Sequence, residues 1–115
     1  MDDTLRQAFE SELLAASEAS EVADYDRGFY HLERAHIISQ RFTTRHVRVH
    51  WLMLRYGIVL RRPREVLGQL VRIVAATLFS RIWIPIGNTG RANVNAMRPM
   101  PLPDDLRRLL EEHGA

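Results

Sequence analysis

The chain has 115 residues, a length that suits one domain better than two. Hydrophobic residues make up 46% of it and charged residues 26%, a balance that excludes a largely disordered protein. Cysteine is absent, so disulfides, thiolate metal sites and cysteine nucleophiles are excluded.

The N-terminal residues and the most apolar region bear on location. The start, Met1-Asp2-Asp3, is acidic, whereas a secretory signal has a basic start and an apolar core, so we expect a cytoplasmic protein. The most apolar region, 66–86, is interrupted by Arg72 and Arg81, so we expect no transmembrane segment. We predict a buried core helix there. A helix lying on an anionic membrane surface is the alternative.

The first two helices follow from apolar spacing and capping residues. Helix one should start near Asp3 or Thr4, and residues 17–20 form a weak break of small residues. Its apolar stripe is Leu5, Phe9 and Leu13. Helix two should run from near Asp24 to near Gln40. Its inner seam is Tyr25, Phe29, Leu32 and His36.

Apolar spacing and first-turn residues also predict the next two helices. Helix three should run from about Thr44 to Leu60, and helix four should carry Pro63 and Glu65 in its first turn. The predicted seam of helix three is Val47, Trp51, Leu54 and Ile58. The predicted apolar face of helix four is Val66, Leu70, Ile73 or Val74, and Leu78.

The C-terminal part changes character. Residues 85–103 are rich in Pro and Gly and should be extended, with a turn at 87–90, and Asp104 should cap a short helix over 104–113. We therefore predict an all-α fold and a single helical domain over 1–115, with the main helices within 1–84. The four helices should be antiparallel, as a bundle or as tetratricopeptide-like helical hairpins, followed by the extended tail and the short helix.

Charge is distributed unevenly. Residues 1–26 hold eight acids and one Arg, whereas residues 27–98 hold thirteen Arg and two acids; every basic residue in the chain is Arg. The acidic first helix could simply neutralise the basic ones. An Arg-rich face could instead bind an acidic protein partner. No zinc-finger spacing or RNA-binding aromatic motif is present, so nucleic-acid binding is not favoured.

One cluster of residues carries chemistry. Glu33 and His36 lie three residues apart on helix two, and His46 and His50 lie one turn apart on helix three. If the turn centres near Thr43, antiparallel pairing sets His36 beside His50. These four side chains could then converge on one metal ion.

Imidazole and carboxylate ligands suit zinc or ferrous iron, and three or four ligands can leave a position open for water. A di-iron centre is not favoured, because only one Glu-x-x-His is present. The alternative is structural: histidines on inner seams are often hydrogen-bonded core residues, and Glu33 could be ion-paired with a nearby Arg.

The runs His31-Leu32-Glu33-Arg34-Ala35-His36-Ile37-Ile38-Ser39-Gln40, His46-x-x-x-His50-x-x-Met53-Leu54 and Gly87-Asn88-Thr89-Gly90 carry a family resemblance. Together they resemble an uncharacterised family of small bacterial helical proteins, known only as a domain of unknown function. The resemblance spans roughly residues 24–106. It implies a compact helical protein and carries over no catalytic residues.

Two functional hypotheses follow. The first is a small metal-binding helical protein that uses Glu33, His36, His46 and His50, with zinc or iron as the ion. The second is a non-catalytic interaction module whose Arg-rich face binds an acidic partner. Neither hypothesis names a substrate, and whether the protein is an enzyme stays open.

Overall fold

The computed structural model describes residues 1–79, 90–91 and 99–114, and these residues form an all-α fold. Its helices are α1 (Asp3–Glu21), α2 (Tyr25–Ser39), α3 (Thr43–Val59), α4 (Pro63–Phe79) and α5 (Asp104–His113). The predicted all-α class, the four main helices and the short C-terminal helix are confirmed. The predicted extended segment, 85–103, lies largely outside the described residues.

The ends of α1 differ from the predicted ones. Asp2, one residue earlier than expected, caps the helix by accepting a hydrogen bond from the Leu5 amide at 2.8 Å. The predicted break at residues 17–20 is wrong, because α1 continues to Glu21. Ala19 is fully buried against the rest of the protein, and this packing holds the last turn in the helix.

The four long helices pack as two helical hairpins. α1 lies against α2, α3 lies against α4, and the α2–α3 contact joins the two pairs. Each of the three connections between these helices is three residues long, which forces consecutive helices to run antiparallel. The link between α2 and α3 spans residues 40–42, so the end of α2 and the start of α3 are held side by side.

The apolar core lies mainly between α1, α2 and α3. Its largest fully buried apolar side chains are Phe9, Phe29, Leu5, Leu32, Ile38, Met53 and Val49. The Tyr56 hydroxyl donates to the Ala16 carbonyl at 2.9 Å and so ties α3 to α1. Gly28 leaves the room that the Tyr56 ring occupies, because a Cβ there would lie 2.7 Å from a ring carbon.

Helix α5 packs against α1 and α2. Leu106 is buried in the core, and Arg34 of α2 binds both Glu12 of α1 and Asp105 of α5. At the other end of α5, His113 Nδ1 lies 2.8 Å from Asp2 Oδ2. Leu109 and Leu110 also pack against the core, so the short helix joins the first hairpin through both apolar and polar contacts.

The predicted inner faces of α3 and α4 are partly wrong. Trp51 and Ile58 of α3 are 50% and 58% exposed, and Leu70 and Leu78 of α4 are 45% and 62% exposed. The buried face of each helix is rotated from the apolar stripe and carries polar side chains. These are His46 and His50 on α3, and Glu65 and Gln69 on α4.

The exposure of its apolar stripe also corrects the prediction of a buried core helix in 66–86, for the part of that region that α4 covers. None of the helices described here has the length and apolar character needed to cross a membrane.

Candidate metal centre

Three histidine rings from two helices meet inside the protein. His36 lies in the last turn of α2, and His46 and His50 lie one turn apart on α3. Their exposed fractions are 3%, 8% and 2%, so all three side chains are buried. The Nε2 atoms of His36 and His46 lie 2.9 Å apart, and those of His46 and His50 lie 3.1 Å apart.

Local structure explains why these three rings meet. Residues four apart on a helix share a face, which places His46 and His50 one above the other. The short α2–α3 connection then sets the end of α2 opposite that face. The predicted convergence of His36, His46 and His50 is therefore present in the structure. One ligand atom from each lies within 4.8 Å of those of the other two.

Gln69 of α4 contacts the His50 ring at Nδ1, the nitrogen that does not face the other two histidines. His50 Nδ1 lies 2.6 Å from Gln69 Oε1, and Gln69 Nε2 donates to the Gly90 carbonyl at 2.9 Å. Since the amide nitrogen is used on Gly90, the amide oxygen is the acceptor and His50 Nδ1 carries the proton. The Nε2 atom of neutral His50 then presents a lone pair to the cluster.

The sequence analysis missed Gln69. It is fully buried, although glutamine usually lies at the surface. The only signal in the sequence is that Glu65 and Gln69 stand four residues apart on a helix that is otherwise strongly apolar. A pair of that kind marks a polar stripe on α4, and this stripe is the one that faces α3.

Gly90 closes the cluster on the side of His36. It has φ +80°, and a Cβ there would lie 2.6 Å from His36 Cδ2 and 2.8 Å from its Nε2. Only glycine combines this left-handed conformation with such a close approach. The rest of the predicted turn at 87–90 lies outside the described residues.

Glu33, the fourth predicted ligand, is placed elsewhere. Its Oε1 lies 3.3 Å from Arg91 Nη1, and Arg91 Nε also donates to Glu65 Oε1 at 2.6 Å. The Arg91 guanidinium carbon lies 3.7 Å from the centroid of the Phe29 ring. Burial raises the pKa of Glu33, and Arg91 opposes that shift. Glu33 is therefore beside the cluster, ion-paired, and outside the group of three ligand atoms.

The histidines of α3 are held neutral. Burial lowers the pKa of His46 to about 3, and a positive charge on His50 would lower it further. Burial also lowers the pKa of His50 to about 4; Gln69 and Glu65 raise it, and Arg72 lowers it. At neutral pH both rings therefore keep a lone pair that a metal ion can accept.

Hydrogen bonding at His46 is incomplete. His46 Nε2 faces two other Nε2 atoms, and one N–H cannot make a linear hydrogen bond to both. His46 Nδ1 is buried and has no hydrogen-bond partner in the described part of the chain. Buried polar atoms are normally paired, so this arrangement needs an explanation.

Two of the three separations between the donor atoms are close to those found on a metal ion. Zinc binds histidine nitrogen at about 2.0–2.1 Å, so two nitrogens on a tetrahedral ion lie about 3.3 Å apart. The Nε2 separations of 2.9 Å between His36 and His46 and 3.1 Å between His46 and His50 are close to that value. Imidazole nitrogen suits zinc, iron, copper and nickel. The cluster could therefore hold one metal ion after small movements of the rings.

Comparison with known proteins gives a family and no function. No curated protein and no solved structure matches the chain. A family model described as "Protein of unknown function (DUF3703)" matches residues 3–110, nearly the whole chain. The protein therefore belongs to this family of unknown function.

Proposed function

We propose that the protein binds one divalent metal ion, zinc or ferrous iron, through His36, His46 and His50. The observation that carries the proposal is the convergence of three buried imidazole nitrogens from α2 and α3. A single ion at their common point would accept the lone pairs that cannot all be satisfied by hydrogen bonds within the cluster.

The competing interpretation is a structural polar network. Such a network stabilises a core only when every member has a partner, because an unsatisfied buried polar atom costs about 1–3 kcal/mol. His46 fails this condition through its Nδ1 atom, as far as the described residues go. An ion at the three Nε2 atoms would leave His46 Nδ1 unpaired as well, so what favours the ion is that His46 Nε2 faces two other Nε2 atoms.

Gln69 has the role of an outer partner of the site. Metal-binding histidines usually donate their second ring N–H to an oxygen, which fixes the tautomer and the direction of the ring. The 2.6 Å contact between His50 Nδ1 and Gln69 Oε1 is of this kind. This contact adds support to the proposed metal site, because Gln69 lies on α4 whereas the three histidines lie on α2 and α3.

The first test is metal content and affinity. Tag-free protein should be loaded with Zn²⁺ or, without oxygen, with Fe²⁺, and the bound ion counted by elemental analysis. We expect one ion per chain in the wild type and none in His46→Gln. His31→Gln is the matched control, because His31 lies on α2 but contacts Glu12 instead of the cluster. Equal metal content in His46→Gln and the wild type would overturn the proposal.

A second test uses Gln69. Gln69→Leu should lower the affinity for Zn²⁺ about 10- to 100-fold, the usual effect of losing an outer partner, without abolishing binding. Gln69→Glu keeps the acceptor for His50 but loses the donor to the Gly90 carbonyl, so it should restore only part of the affinity. Competition with a chelating dye of known affinity measures both variants. An unchanged affinity in Gln69→Leu would remove Gln69 from the site.

Glu33 stays a predicted ligand that this geometry does not require. To reach the ion its carboxylate would have to leave Arg91. Glu33→Gln removes the charge and keeps the shape of the side chain, so it separates the two cases. We expect one bound ion per chain in this variant, and a loss of binding would return Glu33 to the ligand set.

One surface favours a second function, the binding of an acidic partner. At the start of α4, a groove of about 450 Å³ is lined by Arg61, Arg62, Pro63, Val66, Leu67 and Leu70. Within the part of the chain described, neither Arg61 nor Arg62 makes an ion pair. A partner segment that carries both acidic and apolar residues would match this groove.

This second function has its own test. A fluorescent peptide of alternating Glu and Leu should bind with an affinity that falls steeply as salt rises. Arg61→Glu with Arg62→Glu should abolish that binding, and Arg108→Glu on α5 is the control. Binding that is indifferent to salt, or equal in the double variant, would rule the groove out.

A further inference from the structure

The proposed metal centre has an unusual balance of charge. Its three ligands are neutral imidazoles, and no carboxylate belongs to the group of ligand atoms. A divalent ion bound there would keep its full charge in a region where the ligand side chains are at most 8% exposed. Taking such a charge out of water is unfavourable unless an opposite charge accompanies it.

Among the described residues, no anionic side chain belongs to the ligand set. Glu33 and Glu65 are both engaged by Arg91. Residues 80–89 and 92–98 contain no His, Cys, Asp or Glu, as the sequence itself shows. A fourth anionic ligand must therefore come from outside the protein.

The surrounding charges do not compensate the ion either. The carboxylates of Glu33 and Glu65 are matched by two guanidiniums, those of Arg91 and Arg72. Arg72 lies on α4 near His50, where its charge acts on that ring. Among the described residues, these two carboxylates are thus matched by two guanidiniums, and the charge of the ion is left for a fourth ligand to reduce.

On these grounds we infer that the metal centre is a receptor for a small exogenous monoanion, which binds the ion as its fourth ligand. The inference rests on the proposed function. The ligand class is hydroxide or a compact anion with an oxygen or nitrogen donor, such as bicarbonate or azide. Hydroxide forms when a metal-bound water releases one proton to solvent, and on zinc this occurs near pH 7.

The experiment uses Co²⁺ as the probe in the full chain. The visible absorption of bound Co²⁺ reports its ligands, and one Co²⁺ per chain is the prerequisite. We expect the spectrum to change with a single pKa near 7 when no other anion is present. Azide should change the spectrum in a saturable 1:1 manner. Azide at ten times its dissociation constant should raise that apparent pKa by about one unit, because it competes with hydroxide.

Two controls make the result specific. Perchlorate at the same ionic strength should leave the spectrum unchanged, and free Co²⁺ in buffer should not show the saturable response. If Co²⁺ binds 1:1 but its spectrum ignores both azide and pH, the fourth ligand is not exchangeable, and this inference fails while the proposed function stands. If the wild type binds no Co²⁺, Zn²⁺ or Fe²⁺, both fail together.

Discussion

Acid should destabilise the metal-free protein through its buried histidines. The perturbation is a change from pH 7 to pH 5 in the presence of a chelator. His46 and His50 have pKa values lowered to about 3 and about 4 by burial, whereas an unfolded histidine has a pKa of about 6.5. Over this interval the unfolded chain gains protons at both positions and the folded chain gains almost none.

The sign and the size follow from proton linkage. A lowered histidine pKa means that stability is fully present above about pH 6.5 and is lost as the pH falls toward the folded values. Between pH 7 and pH 5 each of the two histidines should reduce the free energy of unfolding by about 2 kcal/mol. The two together should reduce it by about 4 kcal/mol, a large part of the stability of a typical domain.

The groups that face these rings do not reverse the sign. Glu65 raises the pKa of His50 and Arg72 lowers it, and Gln69 is neutral. His36 contributes a third ring that lies against His46. Burial remains the largest cause for both histidines of α3, so the direction of the effect is set by their desolvation.

Urea denaturation at a series of pH values measures the effect. For a slope of about 2 kcal/mol per molar urea, the midpoint should fall by about 2 M between pH 7 and pH 5. His46→Gln and His50→Gln each remove one titrating group, so each should show about half of the pH dependence. His31→Gln should keep it in full. Equal pH dependence in all four proteins would refute the assignment of this linkage to the cluster.

Three further predictions concern packing and hydrogen bonds. Gly90→Ala places a methyl group against His36 at a positive φ, so it should lower both the zinc affinity and the melting temperature, with a stability loss of about 1–3 kcal/mol. Tyr56→Phe removes the hydrogen bond to the Ala16 carbonyl and should cost about 1 kcal/mol in chemical denaturation. Arg34→Gln breaks the links from α2 to α1 and α5, and it should increase amide hydrogen exchange in α5 more than in α3.

The histidine cluster was predictable because its geometry is local. The spacing of His46 and His50 fixes a shared face on one helix, and the three-residue connection fixes the register of the neighbouring helix. The register of the two antiparallel helices then places His36 opposite this face. No contact between distant parts of the chain is needed to bring the three rings together.

The environment of Glu33 was not predictable because it depends on a contact between distant parts of the chain. Its spacing from His36 correctly places it near the cluster, but its partner is Arg91, which lies 58 residues further along the chain. Arg91 also stands in a Pro- and Gly-rich segment without regular periodicity. A sequence pattern cannot show which of thirteen arginines in residues 27–98 reaches a given acid.

The predicted inner faces of α3 and α4 were partly wrong because hydrophobicity alone does not determine which face of these helices is buried. The α3–α4 interface buries His50 and Gln69, while Trp51 and Leu70 remain about half exposed. A helix normally turns its apolar stripe toward the core, and the stripe on α4 is strong. Polar side chains that pair with each other, such as His50 with Gln69, replace it at the interface.

This departure from the usual pattern is the most informative feature of the protein. The fold buries three imidazoles and an amide and leaves Trp51 and Leu70 partly in water, an arrangement that lowers stability. Natural sequences accept such local costs mainly where a site requires them. An ion bound only by the folded chain would return about 2.7 kcal/mol at a concentration of 100 times its dissociation constant. Metal binding would therefore offset much of the cost of burying the cluster, and a purely structural role would leave that cost in place.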